Sequence, residues 1–299
     1  MKKIFSIFKT YFVKCKNLLI FLFCYRLKFM LISKNNAIFF CGNSTIGDNA
    51  ILLSLVEPFI KSHSKIRKVY YFGNEKYINM LNPLYKEINK HIIYKKIKVK
   101  KFKYLVDNPS ILSRIVKYCN HHSSRMFHSV FYLQERIPKS CSVIEYHKKK
   151  MDISVDEKVY LPKIERAIKK RIAVINIDSQ SITATKIKNI AEEAIALFNK
   201  EGIKVYVNSK SRDLVGDYEL VFPPLLEFLN LIESSLCFIS IRSGITDLAC
   251  ATSTNILAIY GSKIWNNFSL NMWPVIGNRK IIEITENDFS FAQLKSIIS

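Results

Sequence analysis

Residues 238–261 read Phe238-Ile-Ser-Ile-Arg-Ser-Gly-Ile-Thr-Asp-Leu-Ala-Cys-Ala-Thr-Ser-Thr-Asn-Ile-Leu-Ala-Ile-Tyr-Gly261: a strand, a tight glycine turn, a short helix and a second strand. Cys237 to Ile241 is apolar and β-branched with one serine, and the turn is Arg242-Ser243-Gly244. The pattern predicts a helix from Ile245 to Thr252 and a strand from Asn255 to Tyr260. Ser243 suits an N-cap, because its hydroxyl can accept an amide hydrogen of the first turn, and Gly244 lets an anion approach the backbone. Unpaired amides at the positive end of a helix dipole attract phosphate. Arg242 offers a charged fork of the shape a diphosphate accepts. A turn that binds nothing has the same residues, since glycine after a strand is common in α/β proteins.

Outward from this stretch, strand and helix alternate. In the first half Ala37 to Cys41 reads as a strand, followed by Gly42-Asn-Ser-Thr-Ile-Gly-Asp48 and a helix from Asn49 to Ser62. Lys68 to Phe72, His91 to Ile97 and Val130 to Leu133 are strand-like, with helices at Glu75 to Leu81 and Ile111 to Cys119. Tyr146 to Lys170 is charged and irregular, with lysines at 148 to 150 and Pro162, and reads as a crossing between domains. In the second half Arg171 to Ile177 is a strand, Asp178 to Thr183 a loop, Lys186 to Lys200 an amphipathic helix and Lys204 to Val207 a strand. Pro223-Pro224 then opens a helix through Glu227 to Ile232. The order predicts an α/β fold of two Rossmann-like domains, 34–150 and 151–299, facing across a ligand cleft at the carboxyl ends of their strands.

Composition fixes the class. The chain has 299 residues, 49% hydrophobic and 12% aromatic, enough for a core in each domain and unlike a disordered chain. With 46 Lys+Arg against 24 Asp+Glu the formal charge is +22, a field that favours polyanions: nucleic acid, acidic membrane or phosphorylated substrates. No RRM aromatic pair, KH glycine loop or zinc-knuckle spacing is present, so no nucleic-acid partner is expected. Seven cysteines without a Cys-x-x-Cys pair read as buried thiols of a reducing compartment, and the six histidines show no metal spacing. Neither a metal nor a cofactor is expected.

Residues 1–33 carry Lys2, Lys3, Lys9, Lys14, Lys16, Arg26 and Lys28 around an apolar stripe at Ile4, Phe8, Tyr11, Phe12, Cys15, Leu18, Leu19 and Leu22. That spacing is helical. The uninterrupted apolar run from Leu18 to Tyr25 is far short of the roughly 20 residues that cross a bilayer. Arg26 and Lys28 follow it with no small-residue cleavage site, which argues against a signal peptide. A basic amphipathic helix lying on an anionic membrane fits, as does an ordinary helix packed on the first domain.

With this order in place, the chain resembles the family 9 glycosyltransferases, the heptosyltransferase-like bacterial enzymes of the GT-B fold that build lipopolysaccharide. That family has a turn of the form D-[TS]-G-x-x-H, then L-A-A-A, then a strand ending in Tyr-Gly. The matching positions here are Arg242-Ser243-Gly244-Ile245-Thr246-Asp247, Leu248-Ala249-Cys250-Ala251 and Tyr260-Gly261. Arg242 stands where the family has Asp, and Asp247 where it has His. This variant looks like the one in a looser set of surface-polysaccharide transferases, which implies a nucleotide sugar other than ADP-heptose. Asp247 alone would repel a diphosphate; paired with Arg242 it would either orient the guanidinium or only brace the turn.

The resemblance also implies site residues. Gly47-Asp48 matches the family's Gly-Asp after the first strand, whose aspartate is the proposed base for the acceptor hydroxyl; Asp48 also suits a helix start. The loop Asp178 to Thr183 and Lys186 match a phosphate-contacting loop, with Ser179, Ser181 and Thr183 as hydroxyl donors or simple caps. Glu227 falls where a carboxylate would hold a ribose or base hydroxyl, or would be an exposed helix acid. With Arg242, Ser243, Gly244, Ile245 and Asp247 these make up the donor side. The implied activity is inverting, metal-independent transfer from a nucleotide-diphosphate sugar to a lipid-linked surface glycan, peripheral on the inner face of the cell membrane. The alternatives are a nucleotide-sugar-binding protein that lost catalysis and a UDP-sugar epimerase-like enzyme, whose converging carboxylates and histidine the chain lacks.

Overall fold

The computed structural model describes residues 36–41, 45–97, 127–130, 137–179, 184–210 and 213–298. The predicted helices at 1–33 and Ile111 to Cys119, and the expected donor hydroxyls of Ser181 and Thr183, lie outside these residues.

The first half holds β1 (Asn36–Cys41), α1 (Ile46–Ser54), α2 (Val56–Ser62), β2 (Lys68–Asn74), α3 (Glu75–Leu81), β3 (Ile92–Ile97) and β4 (Phe127–Val130). Its four strands are parallel in the order β3-β2-β1-β4. The helix α4 (Val143–Lys150) leads to the second half: β5 (Ile172–Asn176), α5 (Ile187–Lys200), β6 (Lys204–Asn208), β7 (Glu219–Leu220), α6 (Leu225–Ser234), β8 (Cys237–Ile241), α7 (Gly244–Ala249), β9 (Asn255–Tyr260), β10 (Ile281–Thr285) and α8 (Phe291–Ile298). These six strands are also parallel, in the order β10-β9-β8-β5-β6-β7.

Strand periodicity shows why both faces of the second sheet are covered. Ala173 and Ile175 of β5, Cys237 and Ile239 of β8, and Leu257 and Ile259 of β9 pack under α5 and α8 with Ile190, Phe198 and Leu294. The alternate residues Val174, Phe238, Ile256, Ala258 and Tyr260 point the other way, onto Phe228 and Leu229 of α6 and Leu248 of α7. Strands buried on both sides read as continuous apolar runs, as these do. The second cluster of side chains continues without interruption to Phe39, Leu52 and Phe59 of the first half, so the two sheets share one interior on that side.

Several predicted elements differ in the structure: the strand expected from Val130 to Leu133 lies at Phe127–Val130, and the helix expected from Ile245 to Thr252 runs Gly244–Ala249. The expected helix from Asn49 to Ser62 starts earlier, at Ile46, and breaks at Leu55. Thr45 caps the start, its Oγ1 accepting from the Asp48 amide at 3.2 Å. Pro58 has no N–H to give the Ser54 carbonyl four residues back, and that carbonyl accepts instead from the Tyr160 amide at 2.8 Å. The expected irregular crossing contains the regular helix α4, nucleated by a capping box in which Ser142 and Glu145 exchange backbone and side-chain bonds at 3.2 and 2.9 Å.

Beyond α4 the chain is pinned first to one half and then to the other. Tyr160 and Lys163 reach Glu87, while Arg166 and Lys169 reach the α6 terminus at Glu233, a buried carboxylate that also accepts from Ser253.

Candidate active site

The first turns of α1 and α7 abut. A Cβ built on Gly244 would collide with the Gly47 backbone nitrogen and lie 2.9 Å from its Cα, and one on Gly47 would lie 3.0 Å from the Gly244 Cα and 2.9 Å from Asp247 Oδ2. Only glycine at both places permits this approach. The first amides of a helix have no carbonyl partner within it, so Ile46, Gly47, Gly244 and Ile245 bring two positive helix ends to one seam. Gly244→Ala is expected to cost about 3 kcal/mol, the scale of overpacking against a backbone that cannot give. A fall in the urea midpoint larger than that of Gly47→Ala, whose nearest atom is a side-chain oxygen, would confirm the asymmetry.

The turn before α7 is built from polar side chains. Asn208 donates to Asn176 Oδ1 at 3.0 Å, Asn176 donates to Ser240 Oγ at 3.0 Å, and Ser240 Oγ lies 3.2 Å from Thr246 Oγ1. The row carries the ends of β6, β5 and β8 into the helix start, where the Ser243 amide donates to Thr246 Oγ1 at 3.0 Å. At the far end Arg279 donates to the carbonyls of Cys250 and Thr252.

Arg242 corrects the expectation of a free fork. Its side chain is 5% exposed and every N–H is occupied: Nε and Nη2 donate to the Phe268 carbonyl at 3.1 and 2.9 Å, Nη1 to the Ser243 carbonyl at 2.7 Å and to Asp247 Oδ2 at 2.9 Å, and Nη2 to Asp247 Oδ1 at 2.6 Å. A guanidinium has five such hydrogens, so none is left for a phosphate in this arrangement. Burial opposes its charge, but Asp247 outweighs that and holds the group above its ordinary range. Of the two readings the pair allowed, bracing the turn is the one the geometry matches.

Trp273, Ser269 and Glu283 complete the brace without any signal in a local motif, together with Tyr260 of the Tyr-Gly strand end. Trp273 Nε1 donates to Asp247 Oδ1 at 2.9 Å. Tyr260 and Ser269 hydroxyls both donate to Glu283 at 2.5 Å, fixing the segment that presents the Phe268 carbonyl. The spacing from 247 to 273 and 283 is long range, and only the scarcity of tryptophan, two in the chain, marks Trp273 in the sequence.

Asp48 lies at the same seam, half-buried in the third position of α1. The Thr45 hydroxyl donates to its Oδ2 at 2.6 Å, fixing the carboxylate. Burial, and then the negative charge of Asp48, raise the Tyr77 phenol above its usual range. The remaining expected residues are dispersed. Ser179 Oγ is 3.5 Å from the Arg242 carbonyl. Lys186 is exposed beyond β10, its ammonium on Asn287 Oδ1 at 2.9 Å and its amide on Glu286 at 2.7 Å. Glu227 is exposed in the first turn of α6.

Neither a protein-family model nor a curated protein sequence matches the chain. Solved structures do. The Escherichia coli heptosyltransferase WaaC, solved with ADP, is 11% identical with a TM-score of 0.58, over 88% of this chain and 98% of that one. A family 9 glycosyltransferase from Veillonella parvula is 11% identical with a TM-score of 0.56, over 89% and 92%. The α/β fold with its parallel sheets is similar to that of the GT-B glycosyltransferases. The dodecameric iron-containing glycosyltransferase TibC of enterotoxigenic E. coli is 17% identical with a TM-score of 0.54, over 78% of this chain, which spans only 60% of TibC.

Among the described residues no group of three or more His, Cys, Asp and Glu side chains could hold a metal ion. Cys41, Cys141, Cys237 and Cys250 are buried and form no disulfide with one another. No helix among the described residues is long and apolar enough to cross a membrane.

Proposed function

We propose that the chain is a glycosyltransferase, moving a sugar from a nucleotide-diphosphate donor onto a lipid-linked surface glycan of the lipopolysaccharide type, with inversion. The observation that carries this reading is the α1–α7 seam, where two helix starts meet beside a fixed carboxylate in a fold like that of proteins solved with ADP or ADP-heptose.

Each part has a role. The diphosphate lies along the seam against the first-turn amides of Ile46, Gly47, Gly244 and Ile245, which meet the charge that grows on it as the sugar leaves, without a metal ion. Asp48 takes the proton of the acceptor hydroxyl as its oxygen attacks the anomeric carbon opposite the diphosphate; the sugar–phosphate bond breaks and its electron pair leaves on the nucleotide. Arg242 is a positioning residue, acting through Asp247 to hold α7 in place. Ser179, beside the Arg242 carbonyl, serves the donor side in this reading, with Lys186, Glu227, Ser181 and Thr183 as further donor candidates. Residues 34–150 form the acceptor domain and 151–299 the donor domain, and the basic segment 1–33 brings the enzyme to the anionic cytoplasmic face of the membrane.

A thermal-shift screen against nucleoside diphosphates and nucleotide sugars tests this. A donor at a hundred times its dissociation constant stabilises by about 2.7 kcal/mol. Stabilisation by one nucleotide class is the expected result, and none by any of them would remove the reading. A binding protein without turnover is a second reading, favoured by one observation: the only arginine of the turn is fully spent within the protein.

A further inference from the structure

Exposed aromatic side chains flank the Arg242-Ser243-Gly244 turn on the carboxyl rim of the second sheet. Phe222, 58% exposed, follows β7, and Trp265, 44% exposed, follows β9. In the order β10-β9-β8-β5-β6-β7 the turn ends β8, so the two rings lie on opposite sides of it. Strand register fixes the height of Phe222. Ile239, Ile175, Val207 and Leu220 lie level across β8, β5, β6 and β7, and the Val221 amide donates to the Val207 carbonyl at 3.0 Å. Phe222 therefore stands two residues past that level, at the height of Ile241, the last residue of β8 before the turn.

The spacing selects the occupant. From β8 to β7 the rim crosses β5 and β6, three strand spacings or about 14 Å. An extended nucleoside diphosphate has that reach, so a diphosphate at the end of β8 carries its base to the end of β7. The rim between them is polar, joined by the Asn208–Asn176–Ser240 hydrogen bonds. Phe222 has no ring or cation partner among the described residues, and Glu227, in the first turn of α6 just beyond Pro223-Pro224, is exposed and makes no hydrogen bond or ion pair among them. Trp265 differs on both counts. Its ring already lies against Phe268, with centres 6.2 Å apart, and its loop is tied to the first half, where Asn267 Nδ2 donates to the carbonyls of Pro138 and Cys141 at 2.7 and 2.6 Å.

We propose that Phe222 stacks on the base of the donor nucleotide, next to the Glu227 expected at the ribose, and so supplies affinity for the nucleoside that the phosphate seam does not. This rests on the glycosyltransferase reading. The full chain is titrated calorimetrically with ADP, GDP, UDP and CDP and with inorganic pyrophosphate. Phe222→Ala is expected to weaken the best-bound of the four nucleotides at least fivefold, the low end of what a base–aromatic stack contributes, and to change pyrophosphate affinity by less than twofold. Phe222→Trp keeps a stacking ring: it is expected to retain nucleotide affinity, and its added fluorescence to be quenched saturably by that nucleotide and not by pyrophosphate. Trp265→Ala is expected to leave nucleotide affinity within twofold. An exposed side chain such as Phe222 is replaced with little loss of stability, and an unchanged urea midpoint in Phe222→Ala separates lost contact from lost fold. Unchanged nucleotide affinity in Phe222→Ala, equal losses of nucleotide and pyrophosphate, or a loss in Trp265→Ala as large as in Phe222→Ala would overturn the proposal. In the first of these cases the donor site still stands; failure of all four nucleotides to bind the parent chain removes the donor reading as well.

Discussion

Asp247→Ala is expected to cost about 3–5 kcal/mol of stability, because it leaves the Arg242 guanidinium charged and buried without its carboxylate. The same change strands Trp273 Nε1, which has Asp247 Oδ1 as its acceptor. A purely apolar replacement of both partners behaves differently: Arg242→Met with Asp247→Leu removes the desolvated charges together, and such swaps are often neutral. Urea unfolding of the single and double variants separates the cases. A double variant much more stable than Asp247→Ala confirms that the loss comes from an orphaned charge. A single variant within about 0.5 kcal/mol of the parent, the range of ordinary surface changes, would contradict the brace.

Asp48→Asn is expected to lower kcat by about 10²–10⁴-fold, the usual contribution of a positioned general base. Asparagine keeps the acceptor oxygen for the Thr45 hydroxyl, so α1 should keep its start and the donor should still stabilise the protein. Sugar transfer to a membrane glycan fraction and donor-induced stabilisation, measured together, give the result. Lost turnover with retained binding assigns the base; unchanged turnover moves it elsewhere, and no turnover in the parent chain favours the binding-protein reading.

The sequence was legible where local chemistry decides structure. Glu75–Leu81, Cys237–Ile241 and Asn255–Tyr260 have the predicted bounds because each is an uninterrupted periodic run between turn residues. The Ser142-Val-Ile-Glu145 capping box was also present as a pattern, yet the lysines after it drew the reading toward an open crossing. The break at Leu55 depends on Pro58 together with Tyr160, more than a hundred residues away, and only the first of these is local. The site divides in the same way. Gly47, Asp48 and Gly244 could be found as motif positions, whereas their abutment depends on how the two halves pack. Arg242 looked like a ligand group because a turn arginine in isolation is exposed; its partners Phe268 and Trp273 come from a later segment.

The central claim is that a diphosphate is held by the amides of the α1–α7 seam. Backbone ¹H–¹⁵N spectra of the full chain, titrated with the nucleoside diphosphate that stabilises it best, test that most directly. The account predicts the largest saturable shifts at Ile46, Gly47, Gly244 and Ile245, abolished by Gly244→Val. Shifts concentrated elsewhere, with these four amides unmoved at saturation, would contradict it.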